Sequence, residues 1–431
     1  VGKDIRTLCS KENTVGREIA LLRAVNRPEV PIFPKGDGIK KEKLLTIIIP
    51  AYNIEAFLPK CFFSLLNQPL RERLEILCIN DGSTDGTLAL AKRYEAAFPS
   101  IFRVIDKPNG GHGSGINRGI AEATGRYLRV IDGDDWVVSE NLAEELRRLE
   151  TETVDCVLTL GQHEYAGKEE MDFFQRYDNL SEGVAYRFDN LMLEGFGFTE
   201  YGPILPTATI RTACLKKDWP QLDEKCAYVD MEFNVFAAVR IDTVRYYALD
   251  IYRYFIGREG QTVSRDFWKR KWKDHLKVLQ RLVEFAETTP TLSFAKKRYI
   301  EEHILWQLID SQVFMFDTLK KWEELEAFLL RLERYPRLSV GAIRYMIRRN
   351  SDCKRILETY QANLTTPPKA RTPYLKMLEK QLQEHALALN NGMGKFIYDE
   401  SFANKRSLRY RLKLCLPYGL VRMYQKRRYG V

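Results

Sequence analysis

Four short clusters of polar, acidic and small residues recur in the first third of the chain. They are Pro50-Ala51-Tyr52-Asn53, Asn80-Asp81-Gly82-Ser83-Thr84-Asp85, Asn109-Gly110-Gly111-His112-Gly113-Ser114 and Asp132-Gly133-Asp134-Asp135. The last has the plainest chemistry: two carboxylates one residue apart on an extended segment point the same way, which suits a divalent cation held between protein and a diphosphate. A calcium loop of the EF-hand type starting at Asp132 needs glycine at 137 and glutamate at 143, where the chain has Val137 and Ala143. The glycines at 110, 111, 113, 115 and 119 do not spell the G-x-G-x-x-G of a dinucleotide fold, and no G-x-x-x-x-G-K-[ST] phosphate loop occurs. Each cluster alone reads as a turn or a helix cap. Four in succession at strand ends read as a ligand site, because ligands of parallel α/β sheets lie at the carboxyl ends of the strands.

The elements that must position these clusters are short β-rich runs: LLTIIIP (44 to 50), LEILCIN (74 to 80), IFRVID (101 to 106) and RYLRVID (126 to 132). They recur every 25 to 30 residues, with helical patterns such as TDGTLALAKRYEAAF between them, which predicts βαβ units and an α/β fold with a mostly parallel sheet and helices on both faces. The first two runs are almost continuously apolar, as strands covered on both faces must be. Before them, residues 1–42 read as a helix over Val15 to Asn26, with Ile19, Leu22 and Val25 on one side, and a proline- and glycine-broken linker. After residue 265, apolar residues fall three and four apart, as in KWEELEAFLLRLERY, and predict an all-helical region over 266–404.

The charge is unevenly placed. The 431 residues carry 67 Lys+Arg and 58 Asp+Glu, a formal +9, and residues 405–431 hold nine basic and no acidic residues, so residues 1–404 are formally neutral. That tail interleaves its basic residues with Leu408, Leu412, Leu416, Val421 and Tyr424, a pattern suited to an anionic membrane surface. No nucleic-acid recognition motif accompanies it. The longest run free of charged residues is 11, from Leu44 to Ile54, against the roughly 20 that a membrane span needs. The eight cysteines form no C-x-x-C pair, and the first 15 residues hold no apolar run of the signal-peptide kind, so the expectation is buried free thiols in a cytoplasmic protein.

The series TIIIPAYN, INDGSTDGT and KPNGGHGSGINRGIAEATGRYLRVIDGDDW resembles the nucleotide-binding half of the inverting family 2 glycosyltransferases of the GT-A fold, of the kind that builds bacterial cell-surface glycans. It covers residues 43 to 140, and a GT-A domain over 43–265 is expected. The resemblance implies roles for individual residues. Pro50, Tyr52 and Asn53 would line the nucleotide pocket, and Asp81 would accept a hydrogen bond from the base, most often uracil. Asn117 matches a family asparagine on the helix before the fourth strand and would take part in nucleotide binding. Asp132 and Asp134 match the D-x-D motif, Asp132 near ribose and metal and Asp134 as the more direct ligand of a divalent Mn or Mg ion. His112 is a candidate donor contact, and Arg258 and Ser264 resemble parts of a phosphate-contacting loop.

For the catalytic base the resemblance points to an acid at the start of a later helix. Asp230, in Ala227-Tyr228-Val229-Asp230-Met231-Glu232-Phe233, matches best, with Glu232 in reserve. The implied reaction moves one sugar from a nucleotide sugar, a UDP-sugar first, to a hydroxyl of a glycan, lipid-linked or protein acceptor, in polysaccharide, teichoic acid or glycoconjugate synthesis. No Q-x-x-R-W motif of processive synthases occurs. Peripheral attachment to the inner face of the cell membrane through the basic tail, and self-association through the helical region, complete the expectation. Two other readings are open. A nucleotidyltransferase would want a glycine-rich loop where PAYN stands, and a non-catalytic scaffold of the same fold would lack the D-x-D or base acids. Donor sugar, acceptor and linkage have no code in the sequence.

Overall fold

The computed structural model describes residues 42–332, apart from 170, 176, 178–179, 194–204 and 258–264. The expected N-terminal helix, the rest of the helical region, the basic tail, Arg258 and Ser264 lie outside the described residues. The chain divides into two compact units, residues 1–319 and 320–431.

Ten strands of the first unit, among the described residues, form one sheet. Along its path the order is β3 (Phe102–Lys107), β2 (Leu74–Asp81), β1 (Leu45–Ala51), β4 (Tyr127–Val130), β9 (Ala208–Arg211), β6 (Cys156–Tyr165), β10 (Thr243–Ile256) and β5 (Trp136–Val137). Short β7 (Met171–Gln175) pairs with β6, and β8 (Ala185–Arg187) with β10. The expected parallel order holds from β3 to β4 and again between β6 and β10, while β9 runs antiparallel between β4 and β6 and β5 runs antiparallel to β10. Because β9 reverses between them, β4 and β6 point the same way. The carboxyl ends of β1, β2, β4, β6 and β10 therefore share one edge.

Both faces of β1 are covered, as its apolar composition requires. On β1, Leu45, Ile47, Ile49 and Ala51 share a core with Leu58, Phe62 and Leu65 of α1 (Leu58–Leu66), Ala91 and Tyr94 of α2 (Thr87–Ala97), and Leu142, Leu146 and Leu149 of α4 (Ser139–Thr151). The alternate residues Ile48 and Pro50 face α3 (His112–Glu122), where Gly119 and Gly115 leave room for them. Phe62 meets Tyr94 and Phe102 edge-on, at ring-centre distances of 4.9 and 4.8 Å. Short helices α5 (Phe188–Leu193) and α6 (Thr212–Lys216), then α7 (Val229–Ala238), lead to β10. The helical expectation holds for the described residues beyond the sheet: α8 (Arg265–Thr288), α9 (Phe294–Tyr299), a π-turn (Ile300–Leu305) and α10 (Trp306–Thr318). In the second unit, α11 (Trp322–Leu332) is described.

Beneath the carboxyl edge sits a wholly buried ion pair. Arg129 Nη2 on β4 lies 2.9 Å from Glu145 Oε1 on α4, both side chains at 0% exposure. Arg129 also donates to Thr209 Oγ1 of β9 and Thr159 Oγ1 of β6, and Thr209 donates to Glu145, so one network ties three strands and a helix. Removing one partner leaves the other charge buried alone, so Glu145→Ala should lose about 3–5 kcal/mol in urea unfolding. Arg129→Met combined with Glu145→Leu should lose far less, because no charge is then stranded.

Among the described residues, no helix is long and apolar enough to cross a membrane. Cys61, Cys78, Cys156 and Cys226 are buried free thiols and Cys214 is half-buried. Burial pushes the Cys78 thiol up to about 12 and those of Cys214 and Cys226 up to about 11, which leaves them unreactive near neutrality.

Candidate active site

The D-G-D-D segment is presented by a turn rather than by the extended segment expected from its sequence. Strand β4 stops at Val130, Ile131 N still reaches Ile48 O at 2.9 Å, and Asp135 N then closes back on Asp132 O at 3.0 Å. Asp135 anchors the turn. It is fully buried, accepts from Tyr252 Oη, and accepts from Phe255 N at 2.9 Å, so the turn is fastened to β10. Burial, and then the charges of Asp134 and Asp132, raise the Asp135 pKa well above the usual carboxylate range. Asp132 and Asp134 stay partly exposed.

At the ends of β1 and β2 the two loops clasp each other. Asn53, at φ 51°, accepts from Thr84 N at 2.8 Å through Oδ1, and its own N–H donates to Ser83 Oγ at 3.1 Å. Tyr52 is half exposed beside it. Asp81 is buried, and its carboxylate organises the glycine loop: Oδ1 accepts from Gly110 N at 2.9 Å and from Lys107 Nζ at 2.5 Å, Oδ2 from Gly111 N at 2.7 Å. Lys107 also donates to Ser114 Oγ at 2.5 Å. Sequence reasoning missed Lys107, whose signal was a lone cation immediately before Pro108-Asn109 at a strand end.

The glycine loop admits a second backbone. Gly111, at φ 84°, caps α3, and a Cβ on Gly113 would lie 2.4 Å from Asp223 O. Gly110 O accepts from Lys225 N at 2.6 Å. Asn117 uses both ends of its amide on this same segment, donating to Leu222 O at 3.0 Å and accepting from Leu222 N at 2.9 Å and Trp219 Nε1 at 3.2 Å. Asn117, expected to contact nucleotide, is here a clamp that seats the 219–228 loop against α3. Lys225 and Tyr228 in that loop both adopt positive φ, 51° and 65°, a strained state for such residues.

The loop delivers α7, with Asp230 and Glu232 in its first turn and Tyr228 in the cap position. Their environments differ. Glu232 is fully buried, accepting from Asp223 N at 2.8 Å and pairing with Arg281 Nη1 at 2.8 Å. Asp230 is half-buried and near His112 and Asp132. Burial raises its pKa, opposed by the charge of His112 and reinforced by that of Asp132. His112, first residue of α3, sits with Nε2 3.0 Å from Asp132 Oδ1. Burial works to lower the His112 pKa, but the Asp132 hydrogen bond and the charges of Asp132, Asp230 and Asp134 raise it overall. The expected residues Asp132, Asp134, His112 and Asp230 are thus brought together electrostatically at one edge of the sheet.

Residues 46–206 match the family described as glycosyl transferase family 2. This segment is similar to family 2 glycosyltransferases. The chain is 40% identical over 116 residues to the protein described as uncharacterized glycosyltransferase EpsJ of Bacillus subtilis (strain 168), covering 26% of this chain and 33% of that one. It is 33% identical over 162 residues to the hyaluronan synthase of Pasteurella multocida, covering 36% and 16%. The chain therefore spans a third or less of the length of these relatives. S. aureus TarS 1–349, solved in complex with UDP, superposes with a TM-score of 0.52 at 17% identity, covering 83% of this chain and 94% of that one, a likeness of fold.

Within the matched segment lie Asp81, His112, Asp132 and Asp134; Asp230 and α7 lie past it. Among the described residues, no group of three or more His, Cys, Asp and Glu side chains makes an all-protein cation cage. Asp132 and Asp134, one residue apart in the turn and both partly exposed, are oxygen donors of the kind a hard divalent cation takes, too few on their own to enclose one.

Proposed function

We propose that the chain is an inverting glycosyltransferase that moves one sugar from a nucleotide sugar, with a UDP-sugar as the donor, to a hydroxyl of a glycan acceptor. The observation that carries this reading is the meeting of Asp230, held half-buried with its pKa raised, with the Asp132-Gly133-Asp134 turn. A general base works best when its pKa is lifted toward the working pH and it remains reachable. Glu232 meets neither need, since it is enclosed and its two oxygens are engaged with Arg281 and Asp223. Asp230 takes the proton of the attacking acceptor hydroxyl as the bond from that oxygen to the anomeric carbon forms and the bond to the departing nucleoside diphosphate breaks. Asp132 and Asp134 would hold a divalent cation, and the chemistry it would supply is neutralisation of charge on the leaving diphosphate. His112 orients Asp132 through Nε2.

Asp81 supports a pyrimidine base. A carboxylate oxygen can accept two donors, and Oδ2 accepts Gly111 N, so its second lone pair is the one to which the imide N–H of uracil would donate. The half-exposed ring of Tyr52 lies at the end of the neighbouring strand. The UDP of the TarS structure and the polysaccharide in the name of one relative agree with this donor and acceptor class. Incubating the full chain with a panel of nucleotide sugars and glycan acceptors, with manganese or with EDTA, tests the reading. Release of nucleoside diphosphate with one sugar added per acceptor is the expected result; release of pyrophosphate would overturn it in favour of nucleotidyl transfer.

A further inference from the structure

Helix α8 lies well past residue 206, where the family match ends, yet one stripe of it grips the loop that leads to Asp230. Asp274, Lys277 and Arg281 fall three and four residues apart and so share a helix face. Asp274 Oδ2 accepts from Ala227 N at 3.1 Å and is itself paired with Lys271 at 2.9 Å. Lys277 Nζ lies 2.8 Å from Asp223 Oδ2. Arg281 binds three groups at once: Nη1 donates to Asp223 Oδ1 at 3.0 Å and Glu232 Oε1 at 2.8 Å, and Nη2 donates to Gln221 O at 2.7 Å. Glu232 closes the ring by accepting from Asp223 N, two residues beyond Asp230 on the same turn.

We propose that Arg281 is a positioning residue for the transfer reaction, fixing the 221–228 loop and the first turn of α7 so that the Asp230 carboxylate is held toward the donor. The inference rests on the reading of Asp230 as base. Its physical ground is that this loop does not hold its own shape. Lys225 and Tyr228 stand at positive φ without being glycine, a conformation that persists only where surrounding contacts over-determine it. Those contacts come from two sides, the glycine edge of α3 and the stripe on α8. The planar guanidinium reaches both carboxylates and a carbonyl in one geometry, which a lysine ammonium does not reproduce.

The test compares the full chain with Arg281→Met and Arg281→Lys, measuring kcat, donor KM and amide hydrogen exchange at residues 221–228. Arg281→Met should lower kcat by ~10–100-fold, the scale of a misplaced catalytic group. Donor KM should change by less than about twofold, since the donor contacts are elsewhere. Exchange at 221–228 should accelerate, and Arg281→Lys should recover part of kcat. Wild-type kcat in folded Arg281→Met, or a donor KM that worsens as much as kcat, overturns the proposal. If Arg281→Met does not fold, Arg281→Lys decides: reduced kcat at unchanged donor KM supports it and wild-type kcat overturns it. If the wild-type chain transfers no sugar, the base reading fails separately, and unchanged exchange at 221–228 in Arg281→Met still overturns the clamp.

Discussion

Asp230→Asn should lower sugar transfer by ~10²–10⁴-fold, the range that a positioned general base contributes, while the affinity for nucleoside diphosphate stays as in the wild type. The amide keeps the size and much of the hydrogen bonding of the carboxylate but cannot take a proton. On the proposed reading donor binding falls to the ends of β1 and β2 and to the D-G-D-D turn, to which, among the described residues, no hydrogen bond from Asp230 runs. The pH profile gives a second reading of the same group. Burial lifts the Asp230 pKa, with His112 pulling against it and Asp132 adding to it. Since the deprotonated form is the active one, kcat should rise with pH, along an acid limb centred above the ~3.9 of an ordinary aspartate. Full transfer by folded Asp230→Asn would assign the proton to another group.

Asp134→Ala should remove the dependence of donor binding on a divalent cation. In titration calorimetry the wild type should bind UDP more tightly with manganese than with EDTA, and the variant should bind equally weakly in both. Turnover should fall by ~10²-fold or more, because a cation at a transferring diphosphate supplies several kcal/mol of charge stabilisation. The fold should survive: Asp134 is partly exposed, and the turn is fastened by Asp135 to Tyr252 and Phe255 rather than by Asp134. Manganese-dependent UDP binding retained in Asp134→Ala would remove this residue from the cation site.

The strands and helices before residue 140 were legible because their signals are local. An almost continuously apolar run, such as LLTIIIP or LEILCIN, reads as a strand covered on both faces, and its end names the residues at the sheet edge. The bounds of β1 and β2 came within a residue of those expected. What escaped the sequence depends on partners far along the chain. Nothing near Asn117 says that its amide meets Leu222, 105 residues on, nor near Glu232 that Arg281 encloses it. The third aspartate of D-G-D-D looks like the other two in sequence, and only the hydroxyl of Tyr252, 117 residues away, makes it an anchor rather than a ligand. The D-x-D acids were expected on an extended strand, but the tie to β10 bends them into a turn. The inserted, reversed β9 has no sequence signature of its own.

That strand has a consequence for how such a domain can be cut or inherited. The recognisable segment ends at residue 206, and β9 begins at Ala208. A fragment stopped at 206 would keep β4 and β6 but lose the strand that joins them, leaving two open edges in the middle of the sheet where backbone groups seek partners from other molecules. The Arg129–Glu145 pair would lose Thr209 from the same gap. The stretch that carries the family's signature is thus not a unit of folding. The sheet to which it belongs is completed only by the chain that follows it.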